Sequence, residues 1–492
     1  MVNVINLLDI QKDLNCDKVK GNIEIILYGC NNNGVVNLGK SINEIKNKNP
    51  NGSVGEILVT NDKIFLGIGN IEHKDVNGSY MAIVNIQRAM KKVAERIKEN
   101  YIHYEITIAN NPFIREAIHG LIQSLYKFDS EYFTDQKTVS LFPKIRLKVD
   151  DKETYDIAIA QCIARFLGDL PPNYLTPKIF VSFVKEMFKN SKNVKIEVFD
   201  QKACKKMGMG LFYSVTQGAK NQGMLVTIKY SNNKINKDSH DIALVGKGVI
   251  FDSGGISLKK PHDMKQMKCD MMRGATVLST MLLVVQNKLK LNITCTIPLV
   301  ENMPGSKSTK PGDVFVSMNG KSVEIVNTDA EGRLILADAL TFAQRYFDEK
   351  PKYVIDAATL THAVSEALGN VYGGYFTNSE KLNDIIKRKS KNVEFLQRLP
   401  LSVYYYELLD SKVADLVNNP ENVSAGASIA AAFLYEFVDS SIHYAHFDIA
   451  GISMKGFPHE IFRGTATGRP IKAFYKIIRE IYDKEINNEA TF

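Results

Sequence analysis

The fold of this chain is restricted above all by a series of short apolar segments separated by stretches of helical periodicity. The segments are too short for helices, and they are rich in the β-branched residues typical of buried strands. Strands that are apolar along their whole length are buried on both faces, which predicts an α/β fold with a mixed, largely parallel sheet flanked by helices. Such sheets bind ligands beyond the carboxyl ends of their strands. The predicted strands are Val194–Phe199, Met224–Tyr230, Asp241–Gly246, Asn292–Leu299, Val323–Val326, Tyr353–Ala357 and Ile442–Ile449.

The first 150 residues show the same alternation on a smaller scale. The polar run Asp150–Glu153 then precedes a long helical pattern, Tyr155–Leu167, and polar runs of this kind are typical of domain boundaries. We therefore predict a small N-terminal α/β domain over residues 1–150 and a larger C-terminal α/β domain over residues 151–492. In the small domain the predicted strands are Asn22–Tyr28, Glu56–Thr60, Lys63–Leu66, Tyr101–Ala109 and Lys144–Val149, and the predicted helices are Ala82–Asn100 and Pro112–Lys127.

Composition excludes several other classes of protein. With 45% hydrophobic and 24% charged residues, the 492-residue chain can bury a large core and is not mostly disordered. Its net charge of +8 is too mild to indicate a nucleic-acid partner, and its six cysteines form no C-x-x-C pair. The N-terminal segment lacks a basic stretch, and no apolar run approaches the roughly 18 residues of a membrane span. We expect a soluble, cytoplasmic protein without disulfides or a membrane partner.

Three predicted loops of the larger domain carry charged residues next to apolar strands. The first, residues 245–259, contains four glycines, which let the backbone approach a ligand closely. The second, residues 264–270, ends in an aspartate, and the third, residues 327–333, precedes a helical pattern. The charged residues of interest are Lys247, Asp252 and Lys259 in the first loop, Asp270 in the second, and Asp329, Glu331 and Arg333 in the third.

Each loop alone has an ordinary explanation. Thr328 and Glu331 have the spacing of a capping box, the first loop is typical of a glycine-rich turn with solvated lysines, and Asp270 is suited to a helix N-terminus. Together, however, four carboxylates in a partly buried cleft repel one another unless positive charge holds them there. Carboxylate oxygens bind pairs of divalent ions about 3.5–4 Å apart. The three loops therefore predict an oxygen-rich two-metal site, with a neutral lysine amine as a further candidate ligand.

The run Asn327–Leu334 closely resembles the signature of the leucyl aminopeptidase (cytosol aminopeptidase) family. Residues 245–259 resemble the first metal loop of that family, and residues 264–271 resemble its next motif. The resemblance covers about residues 160–480, and the first 150 residues correspond to a variable, oligomer-related domain. The later motifs follow in the family's order at Ala358–Thr361, Ala425–Ala427, His446–Gly451 and Thr467–Pro470.

The resemblance implies a metal-dependent aminopeptidase. Such an enzyme hydrolyses the N-terminal residue, preferably leucine or another apolar residue, from peptides with a free N-terminus, and a metal-bridging hydroxide is the nucleophile. Each subunit would hold two divalent ions: zinc, with manganese, magnesium or cobalt able to take the exchangeable site. Asp252 and Glu331 would bridge both ions. Lys247 and Asp270 would complete the tighter site, whereas Asp329 would serve the exchangeable one.

The same resemblance implies roles for the other site residues. Lys259 would stabilise the oxyanion that develops on the scissile carbonyl, and Arg333 would hold a bicarbonate ion that shuttles the proton. The protein would be a homohexamer, as family members usually are. A pocket for the N-terminal side chain, for which plain core packing is the alternative, would be formed by Met267, Thr359, Leu360, Ala450 and Met454.

Two positions depart from the family pattern. Arg273 stands where the family usually has glycine, and a further cation near two metal ions is costly unless its side chain points away. His362 stands where glycine usually follows Thr-Leu-Thr, and an imidazole there would narrow or polarise the pocket and favour polar or smaller residues. The resemblance also implies that His446 and Asp448 are structural and bind no metal.

Two other functions fit parts of the sequence. A catalytically weak relative that binds DNA would account for Arg273 and for the positive net charge, and its binding would be sensitive to salt. A two-metal phosphatase would use the same carboxylates, but a lysine metal ligand and the position of Lys259 argue against it. The two-metal aminopeptidase is therefore the function that we predict.

Overall fold

The computed structural model describes residues 9–32, 34–38, 43–74, 81–128, 141–233, 236–391, 393–453, 459–462 and 465–486. These residues form two compact units. The first contains residues 9–162 and the segment 459–462, and the second contains residues 163–453 and 465–486. The division falls within one continuous helix, Lys152–Asp169. The position of the domain boundary near residue 150 stays a prediction.

The first unit is a small α/β structure. Its strands are β1 (Asn22–Asn31), β2 (Gly34–Asn37), β3 (Ile57–Val59), β4 (Lys63–Asn70), β5 (Glu105–Ile108) and β6 (Arg146–Lys148). They form a sheet of order β3-β4-β1-β5-β6, with β2 paired to β1. Helices α1 (Met81–Asn100) and α2 (Ile114–Leu125) pack against each other. Strand β5 is shorter than predicted because His103, with a φ of 64°, adopts a left-handed conformation that does not continue a strand.

The second unit contains a nine-stranded sheet of order β16-β15-β18-β14-β9-β11-β8-β7, with β10 paired to β11. Five of the eight pairings between these described strands are parallel, which confirms the predicted mixed, largely parallel sheet. A smaller sheet has the order β12-β13-β17. The strands are β7 (Val194–Asp200), β8 (Met224–Ser231), β9 (Ile242–Gly246), β10 (Gly248–Asp252), β11 (Asn292–Asn302), β12 (Asp313–Val316), β13 (Ser322–Ile325), β14 (Tyr353–Ala358), β15 (Gly373–Thr377), β16 (Leu396–Arg398), β17 (Leu416–Val417) and β18 (His443–Asp448).

Helices cover the large sheet, as predicted. The remaining helices in the described residues are α3 (Lys152–Asp169), α4 (Pro177–Phe188), α5 (Gln201–Lys206), α6 (Gly210–Thr216), α7 (Pro261–Met264), α8 (Met272–Gln286), α9 (Glu331–Arg345), α10 (His362–Leu368), α11 (Glu380–Ser390), α12 (Tyr404–Glu407), α13 (Gly426–Tyr435), α14 (His459–Phe462) and α15 (Ile471–Ile481). Short 3₁₀ turns cover Asp9–Leu14, Asn43–Lys48, Lys265–Cys269 and Ala450–Ile452, and a π-helical turn covers Tyr482–Ile486. In the described part of the chain, no helix has both the length and the hydropathy that crossing a membrane requires.

Helix α9 is the most important helix for the position of the site. It is buried from Glu331 to Gln344, and its apolar side chains join a core cluster that also contains residues of β9, β13 and β14. A helix that is surrounded by other elements cannot shift without opening the core. The first turn of α9 is therefore held rigidly at the end of the sheet.

The first predicted loop contains an additional strand. Residues 248–252 form β10, which pairs in parallel with β11 from Gly248, opposite Leu299, to Asp252, opposite Asn302. The prediction missed this strand because its glycines and short length are typical of a turn, whereas its pairing partner lies about 50 residues further along the chain. Asp252 is consequently the last residue of a buried strand and not part of a loop.

The third predicted loop ends earlier than expected, because α9 begins at Glu331 and not at Leu334. The capping-box interpretation is wrong, since no side chain caps this helix. The hydroxyl of Thr328 instead donates to the carbonyl of Gly254 over 2.6 Å and accepts the N–H of Ser257 over 2.8 Å. Thr328 therefore joins the third loop to the first, and Glu331 remains available for the site.

Candidate metal centre

Strand ends place the first part of the site. Strands β9 and β10 pair in succession with β11, and Lys247 is the single residue between them. Asp252 ends β10 beside Asn302, which ends β11, and the Nδ2 of Asn302 donates to Asp252 Oδ1 over 2.8 Å. Strand pairing therefore holds the backbone on either side of Lys247 and at Asp252, which leaves these two charged residues little freedom to move.

A tight turn brings Lys259 back to the same place. Gly254 has a φ of +87°, and a Cβ there would lie 2.3 Å from the carbonyl oxygen of Ser257 and 3.0 Å from Asp329 Oδ1. Only glycine fits so close to the third loop. The N–H of Lys259 then donates to the carbonyl of Ser253 over 2.9 Å, which closes the turn.

Six charged residues of the three loops meet in what we call the acidic cluster. Asp252, Asp329 and Glu331 each place a carboxylate oxygen within 4.8 Å of the others. The Nζ of Lys247 lies 2.7 Å from Asp270 Oδ2 and 2.8 Å from Glu331 Oε1. The Nζ of Lys259 lies 2.8 Å from Asp252 Oδ2 and also contacts Asp329 Oδ1. The acidic cluster consists of Lys247, Asp252, Lys259, Asp270, Asp329 and Glu331.

The acidic cluster contains more negative than positive charge. Two ammonium groups face four carboxylates, and the side chains of Asp252, Asp270 and Glu331 are only 3%, 6% and 2% exposed. Among the described residues, three of the buried oxygens, on Asp270, Asp329 and Glu331, have no polar partner besides their ion pairs with the two lysines. An excess of buried carboxylates over cations is costly unless further cations bind. Carboxylate oxygens beside a lysine amine therefore fit a pair of divalent ions.

The pKa shifts of residues in the acidic cluster also indicate a shortage of positive charge. Burial and then repulsion by Asp252 raise the pKa of Glu331 to about 8 and that of Asp329 to about 6. Burial likewise raises the pKa of Asp270. For Lys247, burial lowers the pKa, but attraction to Asp270 and Glu331 outweighs it, and the net shift is upward. The carboxylates thus resist ionisation while the lysine stays charged, as expected where positive charge is too scarce.

Two neutral residues that the sequence analysis did not assign to the cluster also hold it. Thr359, predicted only as a pocket residue, donates its hydroxyl to Asp270 Oδ1, and its carbonyl accepts from Lys247 Nζ over 3.0 Å. Asn302 donates to the carbonyl of Thr328 over 3.0 Å as well as to Asp252. Asn302 could be identified only from its pairing with Asp252, and that pairing is known only once β10 is aligned with β11.

Asn418 is a second residue that the sequence analysis missed. It is fully buried, its Nδ2 donates to the carbonyl of Asn327 over 2.7 Å, and its Oδ1 accepts the N–H of Val326 over 2.9 Å. These bonds shape the loop that carries Asp329. No local pattern identifies Asn418, because it lies about 90 residues away in the sequence.

Arg333 lies in the first turn of α9 and is 4% exposed. One of its terminal nitrogens donates to the carbonyl of Asn418 over 2.7 Å, while its Nε makes no hydrogen bond with the described residues. Burial lowers its pKa to about 10, so the guanidinium is charged at neutral pH. A buried guanidinium with an unused donor is suited to hold a small planar anion.

The structure places four of the five predicted pocket residues. Thr359 contacts the acidic cluster, and Met267 is half-buried in the turn before Asp270. Leu360 and Ala450 are half-buried at the ends of the neighbouring parallel strands β14 and β18, and both also pack against core residues. Met454 lies outside the described residues. Their role in binding substrate stays a prediction.

The two departures from the family pattern lie in different surroundings. Arg273 is fully buried on α8 and donates to the backbone carbonyls of Arg469 and Ile449. Its guanidinium is thus occupied by carbonyl groups, and burial lowers its pKa to about 9. His362 begins α10, its side chain is 86% exposed, and its Nε2 lies 3.5 Å from a carboxylate oxygen of Glu366. The effect of His362 on substrate choice stays a prediction.

Comparisons of the sequence and of the structure with known proteins agree with one another. A model of the cytosol aminopeptidase family, catalytic domain, matches residues 162–475. The cytosol aminopeptidase of Encephalitozoon cuniculi (strain GB-M1) is 38% identical over 490 residues, which cover 96% of this chain and 97% of the relative. A probable cytosol aminopeptidase of Rickettsia bellii (strain OSU 85-389) is 38% identical over 378 residues, 74% of each protein. The solved structure of the bottromycin maturation enzyme BotP in complex with Mn has a TM-score of 0.80 at 24% identity, covers 94% of this chain and 99% of that one, and shares the fold.

Proposed function

Because this chain belongs to the cytosol aminopeptidase family of peptidases, we propose that it is a two-metal aminopeptidase. It removes the N-terminal residue from peptides with a free N-terminus and prefers leucine or another apolar residue. The observation that carries the proposal is the acidic cluster, in which Asp252, Asp329 and Glu331 each place a carboxylate oxygen within 4.8 Å of the others.

The acidic cluster supplies oxygen ligands for two divalent ions, zinc or, in the exchangeable site, manganese, magnesium or cobalt. Asp252 and Glu331 would help to hold both ions. Asp270 would also hold the tighter ion, as would Lys247 once its ammonium group has lost a proton, and Asp329 would hold the exchangeable ion. When bound, the ions supply an acidified water as the nucleophile and polarise the scissile carbonyl. A terminal amine can bind beside that carbonyl only in a peptide whose N-terminus is free, which accounts for removal of one residue at a time.

Two cationic side chains, Lys259 and Arg333, would stabilise developing negative charge and assist proton transfer in the reaction. Lys259 stands at the rim of the acidic cluster, with 16% of its side chain exposed, and would donate to the oxyanion as it develops. Arg333, through its unused donor, would hold a bicarbonate ion, and that ion would supply a group able to relay a proton.

We also propose that the protein is cytoplasmic and assembles as a homohexamer, as the family resemblance implies. Size-exclusion chromatography with light scattering measures the assembly directly. A mass of six chains is expected, whereas a monomer that retains full activity would contradict the hexamer and leave the proposed reaction intact.

The activity is tested by release of leucine from leucine amide. We expect hydrolysis in the presence of Mn²⁺ or Zn²⁺, loss of activity with a chelator, and recovery when metal is added back. Asp252→Asn removes one negative charge from the acidic cluster and is expected to lower kcat/KM by at least about 100-fold. The matched control is Asp313→Asn, a half-buried aspartate outside the acidic cluster that pairs with Lys310 over 2.9 Å, and it is expected to retain activity.

Other results would contradict the proposal. Folded protein that releases no amino acid with any metal would refute it, as would an Asp252→Asn variant that is as active as the control. Metal-dependent turnover of a phosphate ester without amide hydrolysis would favour the two-metal phosphatase. Retention of DNA at physiological salt by an inactive protein would favour the DNA-binding relative.

A further inference from the structure

Asp448 joins two loops that carry predicted pocket residues. It ends β18 and is fully buried. Its Oδ1 accepts the backbone N–H of Leu360 over 3.1 Å and that of Ala450 over 3.4 Å, and its Oδ2 accepts the hydroxyl of Thr361. Leu360 follows β14 and Ala450 follows the neighbouring strand β18. A single carboxylate therefore sets the separation of the two loops.

Polar side chains on the same part of the sheet form a buried network beside Asp448. Tyr444, His446 and Asp448 alternate along β18 and therefore point to the same face of the sheet. Asp356 lies in register with His446 on β14, and it accepts from His446 Nδ1 over 2.7 Å and from the hydroxyl of Tyr444. All four side chains are buried, and such bonded polar networks favour one conformation of the surrounding core.

The segment that Asp448 holds also reaches the acidic cluster. Thr359, next to Leu360, donates to Asp270 and accepts from Lys247. The segment 359–361 is thus anchored to the acidic cluster at one end and to Asp448 at the other. A change at Asp448 would move Leu360 relative to Ala450 without removing any predicted metal ligand.

We propose that Asp448 is a positioning residue that determines substrate specificity. It fixes the separation of Leu360 and Ala450, and that separation selects the N-terminal side chain. This role rests on the proposed aminopeptidase function and extends it. Among the described residues, Asp448 makes no hydrogen bond to a predicted metal ligand or to Arg333, and it acts on Arg333 only through its charge, which opposes the lowering of the Arg333 pKa by burial.

The experiment compares Asp448→Ala with Asp448→Asn in the manganese-loaded protein. The measured quantity is the ratio of kcat/KM for leucine amide to that for alanine amide. Asparagine can keep the arrangement, since its oxygen accepts from the two backbone N–H groups and its amide donates to Thr361. We expect Asp448→Ala to lower the ratio at least about 10-fold and Asp448→Asn to keep it within about 3-fold.

Hydrogen–deuterium exchange gives a readout that does not depend on activity. In Asp448→Ala, faster exchange is expected at the amides of Leu360 and Ala450, because both lose their acceptor. The matched control is Asp241→Ala, which removes a buried aspartate that accepts the N–H of Asn292 over 2.8 Å at the start of β9. That control is expected to lower stability but to leave the substrate ratio and these two amides unchanged.

The outcomes separate this inference from the proposed function. A wild-type protein without aminopeptidase activity overturns both. An active wild type, with a substrate ratio or an exchange pattern that Asp448→Ala does not change, overturns only the role of Asp448. If Asp448→Ala does not fold, Thr361→Val is compared with Thr361→Ser. Valine loses one of the three bonds and also the hydroxyl that caps α10 by accepting the N–H of Val364, whereas serine keeps the hydroxyl. Equal ratios in those two variants then overturn the inference.

Discussion

Replacement of Asn418 by alanine tests whether distant residues hold the loop of the acidic cluster. Of the four hydrogen bonds that the Asn418 side chain makes to this loop, three are 3.2 Å or shorter: its Nδ2 donates to the carbonyl of Asn327 over 2.7 Å, and its Oδ1 accepts the N–H of Val326 over 2.9 Å and the N–H of Asn327 over 3.2 Å. Because Asn418 is fully buried, water cannot replace these bonds. Alanine therefore leaves three backbone groups without their partner.

The expected loss of stability follows from this count. A lost buried hydrogen bond costs about 1 kcal/mol, so Asn418→Ala is expected to lower the free energy of unfolding by about 3 kcal/mol. The same loop carries Asp329, and loss of a residue that orients a metal ligand weakens metal binding by about 10–100-fold. We therefore expect the Kd for Mn²⁺ to rise at least about 10-fold.

Urea unfolding in chelator measures the stability, and titration with Mn²⁺ measures the affinity. The matched control is Asn232→Ala, since Asn232 is half-buried outside the cluster and its Nδ2 donates to the carbonyls of Lys288 and Leu289 over 3.3 and 3.1 Å. Water can reach those carbonyls, so a loss below about 1 kcal/mol and an unchanged Kd are expected. Equal losses of stability in the two variants, or a Kd within twofold of the wild type for Asn418→Ala, would refute the reasoning.

Two further predictions use other parts of the structure. A Cβ at Gly332 would lie 2.8 Å from the Cε and Nζ of Lys247, so Gly332→Ala is expected to displace that lysine and abolish leucine amide hydrolysis, whereas Gly426→Ala, whose Cβ would lie 3.5 Å from Ala363, is expected to remain active. Burial lowers the pKa of His240 from 6.5 to about 4, so the unfolded chain binds a proton first as the pH falls. His240 therefore stabilises the folded protein above pH 6.5. Its contribution to the free energy of unfolding falls by about 1.4 kcal/mol per pH unit as the pH decreases toward 4. In this pH range, the free energy of unfolding of His240→Gln, measured with urea, is expected to depend less steeply on pH than that of the wild type. Identical slopes for the two proteins would contradict the prediction.

Much of the site could be predicted from the sequence because its charged residues lie in contiguous motifs. Asp329 and Glu331 are two residues apart, and Lys247 and Asp252 are five apart. Since a motif keeps its spacing in the fold, matching residue types at matching spacings was enough to name the members of the acidic cluster. The alternation of apolar runs and helical periodicity likewise predicted the mixed, largely parallel sheet, because burial on both faces requires apolar strands.

Residues joined only by pairing or packing could not be predicted. Strand β10 contains too few residues to show a pattern of its own, and its pairing with β11 is a contact between distant parts of the chain. Asn302 reaches Asp252 through that pairing, and Asn418 reaches the third loop from about 90 residues away. The local spacing of Thr328 allowed a helix cap as an alternative explanation, but its hydroxyl bonds to the first loop.

The residue types and their local spacing were thus determined by the chain alone: which carboxylates and lysines could bind metal, and which segments would become strands. Tertiary structure decided which neutral side chains hold them and which oxygens remain without hydrogen bonds. The physical reason is that a hydrogen bond or a desolvated charge depends on neighbours within a few ångströms. Those neighbours come from several strand ends, and only the folded sheet brings them together.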